Sequence, residues 1–176
     1  EQWRALRAQG WELMGLTAGL AAKAASPGRR IVCLTFDDAV DDFAGVPDLL
    51  AAREACATLY VPTAHVGGEA GPLGYDAGRR ILTWGQLAAL PDAVELGSHG
   101  HRHRPQDLLG RRALGRELET SRRAIAERTG RDAVSFCYPH GYASRGTAGT
   151  VRAAGFANAC VIGHRVARAG RDSAWR

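Results

Sequence analysis

Short apolar runs alternate along this chain with stretches whose apolar positions recur at helical spacing. Ile31 to Phe36, Ala57 to Val61, "AVELGS" at 93–98, "AVSFCYP" at 133–139 and "ANACVI" at 157–162 are each bounded by turn residues. Such runs fit parallel strands buried on both faces. Between them the pattern predicts helices at Pro47 to Arg53, in "LTWGQLAAL" with Thr83 as N-cap, at 106–129 and at 144–154. The 106–129 segment carries the stripe Leu109, Leu114, Leu118, Ser121 and Ile125, and Gly130 supplies a stop. Residues 1–25 read as helix, with Trp3, Leu6, Trp11, Leu13, Leu16 and Leu20 at mixed helical spacing and a break near Gly10. "SPGRR" is a turn, and the Gly-rich stretch 64–80 is a loop. Alternating strands and helices indicate an α/β fold with a parallel sheet or barrel. No repeat or linker interrupts 1–176, which reads as one domain: an N-terminal helical segment at 1–28, then 29–176.

Composition narrows the partners. A chain of 176 residues with 45% apolar and 23% charged residues suits one soluble globular domain. Net charge is +5, carried almost entirely by arginine, since Lys23 is the only lysine. The arginines are scattered in short pairs with no aromatic-interleaved basic patch, so no nucleic acid is expected. No window approaches the eighteen or so apolar residues of a transmembrane helix. The chain begins at Glu1, as a fragment or processed chain would. The compartment stays open: cytoplasmic, or extracellular or envelope-bound if a signal was removed. Cys33, Cys56, Cys137 and Cys160 lie in or beside apolar runs and form no CxxC pair, so buried free thiols are expected.

The polar residues then fall into register. Asp37 and Asp38 follow the first strand run, His99 and His103 the third, and Tyr138-Pro139-His140-Gly141 the fourth. In parallel α/β folds ligands bind at these C-terminal strand ends. On a helical turn, His99 and His103 share a face and can hold one ion. With Asp38 they make a two-His, one-carboxylate set, which leaves positions open for water and substrate. His101 points elsewhere. Asp37 and Asp38 are adjacent, so one can bind the ion while the other faces its water and acts as general base. Asp41 and Asp42 are expected to start a helix.

"LTFDDA", "ELGSHGHRH" and "FCYPHG", in that order, resemble the first three motifs of the polysaccharide deacetylases of the NodB-homology type, carbohydrate esterase family 4. "ATLYVPT", "ILTWGQLAAL" and "LGRELETSRRAIAERTGRD" agree, and the resemblance covers roughly 30–160. It implies a distorted (β/α) barrel and metal-dependent removal of N-acetyl groups from N-acetylglucosamine units, with release of acetate. It also implies Asp37 as general base and Asp38, His99 and His103 as ligands of a divalent metal, zinc by preference, with cobalt or nickel as substitutes. The backbone N–H of His140 is implied as oxyanion donor, with Tyr138, Pro139 and Gly141 as substrate contacts. The sequence departs from the pattern at Ala39, usually Gly, and in the third motif, where Cys137 stands at an arginine position and His140 at a tyrosine. No Leu-x-His motif supplies the general acid; His140 and His164 are the candidates, and the barrel reads as incomplete at its C-terminus. Two alternatives remain: a glycan-binding domain without activity on the same fold, and a deacetylase of a small acetamido sugar. An aspartate-rich diphosphate site of the prenyl-chain type is set aside, because that motif belongs on a helix.

Overall fold

The computed structural model describes residues 2–163. Helix α1 (Gln2–Ala8) stops at Gly10, whose φ of +76° reverses the chain. The next four residues form strand β1 (Trp11–Met14), not a second turn of helix, and helix α2 (Leu16–Ala25) follows. This corrects the reading of 1–25 as helix on both sides of a break near Gly10. Four residues are too few for periodicity to separate strand from helix, and pairing with a distant segment decides.

The partner is β2 (Arg30–Cys33), aligned parallel with Trp11 opposite Arg30 and Met14 opposite Cys33. The expected first strand is therefore split. Its second part, β3 (Thr35–Phe36), belongs to a five-stranded parallel sheet of order β3-β4-β5-β6-β7. The others are β4 (Ala57–Val61), β5 (Val94–Ser98), β6 (Ser135–Cys137) and β7 (Asn158–Cys160). Leu34 joins the two sheets: its N–H donates to the Met14 carbonyl and its own carbonyl accepts from Thr58 N–H. The sheet curls into a half-barrel with helices outside.

Helices α3 (Val46–Ala51), α4 (Trp84–Ala88), α5 (Arg111–Thr129) and α6 (Arg145–Ala153) connect the strands. Thr83 caps α4 in a reciprocal box with Gln86, and Gly130 ends α5 at φ +70°. Leu109 lies before α5, so the stripe begins at Leu114. One apolar cluster, with Leu50, Leu59, Leu87 and Leu96, sits under α3 and α4. A second, with Leu114, Leu118, Phe136, Tyr138 and Val151, sits under α5 and α6.

The sheet also carries a polar seam. Tyr60 hydroxyl lies 2.6 Å from Ser135 Oγ, and Ser135 donates to Asn158. Asn158 donates to Thr17 Oγ1, and Thr17 donates to Glu95. Glu95 Oε2 also accepts from Thr17 N–H and from the Thr58 hydroxyl. A carboxylate thereby meets the Thr17 N–H in the first turn of α2, and the Leu16 N–H donates to Thr58 Oγ1; neither has a partner inside that helix. All four cysteines are free, as expected, but Cys56 is exposed, because it precedes β4 at the sheet margin. Among the described residues no helix is long and apolar enough to cross a membrane.

The fully buried Tyr60 ring packs directly against the backbone of Gly97 on the neighbouring strand, and a Cβ built there would lie 2.5 Å from the ring. Gly97→Ala is expected to lower unfolding free energy by about 1–3 kcal/mol, the range for overpacking a filled interior. Urea denaturation checks this, and an unchanged midpoint would contradict the packing described.

Candidate active site

Three loops at the C-terminal strand ends meet. The first begins at Asp37, directly after β3. Its backbone turns sharply, with φ +67° at Asp38 and +52° at Ala39. Ala39 therefore stands where glycine would be unstrained. Asp41 and Asp42 then open a 3-10 helix, Asp41–Gly45, in line with the expectation for that pair.

The second loop leaves β5 at His99. It is not a helical turn, so His99 and His103 do not converge by sharing a helix face. They converge because the loop is folded back on itself, with His103 at φ +52°. Glu117, on the buried side of α5, forces that shape: its Oε2 accepts from the N–H groups of His101 (3.1 Å) and Arg102 (2.8 Å). Ser98 Oγ accepts from Gly100 N–H and lies 2.7 Å from Ser121 Oγ. His101 turns away to Thr63, its Nδ1 3.0 Å from the hydroxyl.

The third loop follows β6. His140 and Gly141 are both left-handed, at φ +61° and +78°. Chain beyond β7 clamps this turn: Ile162 N–H donates to the Gly141 carbonyl, and a Cβ at Gly141 would lie 2.3 Å from Ile162. His140 is exposed, and its ring centroid is 4.8 Å from that of His103. Pro139 and Gly141 are buried. Tyr138 is buried too, its ring against Phe136 in the second cluster, so the residue offers the site its backbone. Burial pushes its phenol up to about 12, and the hydroxyl has no hydrogen-bond partner. His164 and the terminal "RDSAWR" lie outside the described residues.

At the meeting point, His99 Nε2 lies 3.6 Å and His103 Nε2 3.2 Å from the same atom, Asp38 Oδ1. All three groups are at least largely buried, with side chains 3–12% exposed. The partners of each ring decide what these approaches mean. His99 Nδ1 lies 2.8 Å from the Cys137 carbonyl and must donate to it, which leaves Nε2 as the ring nitrogen that faces Asp38. Burial and the neighbouring His99 depress the basicity of His103 despite the pull of Asp38, so this imidazole is neutral at pH 7. The 3.2 Å approach is thus no ion pair. Asp38 Oδ1 itself is buried without a hydrogen-bond partner. Potential ligand atoms crowded this closely, with one oxygen orphaned, fit a cation between them. The donor set of two imidazoles and a carboxylate, mutually within 4.8 Å, suits a divalent ion such as zinc.

Two partners of the set were not legible in the sequence. Tyr75, from the Gly-rich loop, donates its hydroxyl to Asp38 Oδ2 at 2.9 Å. Burial and the Asp38 charge push its phenol up to about 12, so it stays a donor. The loop is pinned by Arg79, which pairs with Asp41 (2.7 Å) and Asp42 (3.0 Å). The guanidinium holds the Asp41 carboxyl below its usual range. The other partner is Cys137, whose S–H donates to Asp37; burial and then the Asp37 charge keep it a thiol. Asp37 itself is exposed at the mouth.

These features can be set beside known proteins. The family model for polysaccharide deacetylase matches residues 24–159. No curated protein sequence matches the chain. Among solved structures, the chain is similar to IcaB from Ammonifex degensii at 20% identity and TM-score 0.75, covering 90% of this chain and 72% of that one. It is similar to the BpsB deacetylase domain from Bordetella bronchiseptica at 23% identity and TM-score 0.72, covering 92% and 75%. It is also similar to the Streptococcus pyogenes deacetylase PplD in complex with acetate, at 18% identity and TM-score 0.72, covering 88% and 67%. At these identities the likeness to the solved structures is one of fold. The match over 24–159 spans most of the chain, and the chain belongs to the polysaccharide deacetylase family, of the NodB type.

Proposed function

We propose that this deacetylase-family chain is a metal-dependent hydrolase that removes N-acetyl groups from N-acetylglucosamine-type sugars in glycans and releases acetate. The observation that supports this best is the orphaned Asp38 Oδ1 facing two imidazole nitrogens, with Asp37 beside them. Asp38, His99 and His103 are assigned as ligands of a divalent ion, zinc by preference. Such an ion supplies Lewis acidity to the acyl oxygen and can lower the pKa of water from about 15.7 to about 7. Asp37 takes the proton of the attacking water as general base. The backbone N–H of His140 is assigned to the developing oxyanion, where a fixed donor is worth about 3–4 kcal/mol. Water adds to the carbonyl carbon, the C–N bond breaks, and the leaving amine needs a proton. His140 is assigned that role, since its ring is exposed beside His103. Tyr138, Pro139 and Gly141 shape the substrate side of the turn, Tyr138 through its backbone. A similar fold holding acetate agrees with acetate as the product.

Acetate release from N-acetylglucosamine oligomers by the zinc-loaded protein is the test. Asp37→Asn is expected to lower turnover by at least about 10²-fold, the minimum for removing a general base, with zinc still bound. Unchanged turnover in Asp37→Asn would sink the assignment of the base. No release from wild type with zinc bound would favour a glycan-binding domain without activity.

Tyr75 bears on the ion and not on the chemistry. With Oδ2 committed to the phenol, Asp38 presents Oδ1 alone. Tyr75→Phe is expected to weaken zinc binding by about 10–100-fold, as loss of a supporting hydrogen bond does. Competition against a chromophoric chelator measures this without any substrate.

A further inference from the structure

The pocket contains a second set of ligating atoms. One carboxylate oxygen of Asp37, one ring nitrogen of His99 and Sγ of Cys137 also lie within 4.8 Å of one another. We propose that Asp37, His99 and Cys137 form a distinct site for a thiophilic divalent cation, overlapping the Asp38–His99–His103 set through His99.

The two sets differ in softness. The first offers two imidazoles and a carboxylate. The second replaces one imidazole by sulfur, and thiolate ligands select soft ions. Position supports the assignment. Cys137 ends β6 and already approaches both partners: its S–H donates to Asp37, and its carbonyl accepts from His99 Nδ1. The side chains of His99 and Cys137 are buried, whereas Asp37 is exposed and gives an entering ion a route. On binding, one cation–sulfur bond forms, the thiol S–H bond breaks, and the proton leaves to solvent; nothing is oxidised. Because His99 serves both sets, the occupancies exclude each other. An ion in the second set also takes up the Asp37 carboxylate. That inhibitory consequence rests on the proposed function, but the binding itself does not.

The experiment uses the full chain with Cys56→Ser, which removes the exposed thiol. After metal is stripped by chelation, cadmium is titrated and the ultraviolet thiolate-to-cadmium charge-transfer absorption is followed. The expected result is a band that saturates at one equivalent. It disappears in Cys137→Ser and in Cys137→Ala, and persists in His103→Ala and His103→Asn. Zinc affinity persists in the Cys137 variants. Circular dichroism establishes that each variant is folded. Absence of the band, its survival in both Cys137 variants, or its loss in both His103 variants would each overturn the proposal; the last would mean one merged site. Turnover is not read, so failure of the deacetylase reading and failure of this one remain separable.

Discussion

The organising constraint of this molecule is the crowding of two imidazoles around one buried carboxylate oxygen that has no hydrogen-bond partner. The Nε2 atoms of His99 and His103 lie 3.6 and 3.2 Å from Asp38 Oδ1, in a buried place. Left alone, such groups would rotate apart or take up protons. Here each is held from behind. The Cys137 carbonyl fixes the His99 ring, Tyr75 ties the far oxygen of Asp38, and Glu117 folds the loop that carries His103. Most of the local architecture around the strand ends serves to keep that unfavourable arrangement in place.

Backbone strain collects at the same point. Among the described residues, the non-glycine positions with positive φ are Asp38, Ala39, Glu54, His103 and His140. Four of these five lie in the three site loops. Such conformations cost on the order of 1–3 kcal/mol each and persist only where the surroundings over-determine them. The surroundings here are two apolar clusters, under α3 and α4 and under α5 and α6, joined by the polar seam from Tyr60 to Glu95. Stability is generated in those layers and spent at the loops, which is why the strained positions need no favourable local chemistry of their own.

The sequence disclosed the part of this design that is local. Apolar runs bounded by turn residues marked β4 to β7, and the Thr83 and Gly130 signals marked helix ends, because each depends on a few adjacent residues. The placement of Asp38, His99 and His103 at strand ends was also legible, since a parallel sheet puts those ends together. Other features were not. Strand β1 was hidden because pairing across to Arg30–Cys33, not periodicity, makes it a strand. The four-residue spacing of the two histidines suggested a helical turn, yet a carboxylate on α5 folds them together instead. Tyr75 reaches Asp38 across 37 positions and Glu117 reaches Arg102 across 15, separations at which no pattern rule operates. Cys137 was visible only as a departure from the expected residue, and its contact with Asp37 required the fold.

The clamp of Ile162 on the Gly141 turn has a consequence for how the molecule is made. Chains emerge from the ribosome N-terminus first, at roughly 5–20 residues per second. Asp38, His99 and His103 have all been synthesised once His103 is out, but the turn bearing His140 has no clamp until Ile162 follows. The nascent chain therefore passes through an interval in which Asp38, His99 and His103 are present and the His140 turn lacks its clamp. Among the described residues, assembly of the pocket is ordered along the chain, with the Ile162 contact made after the others.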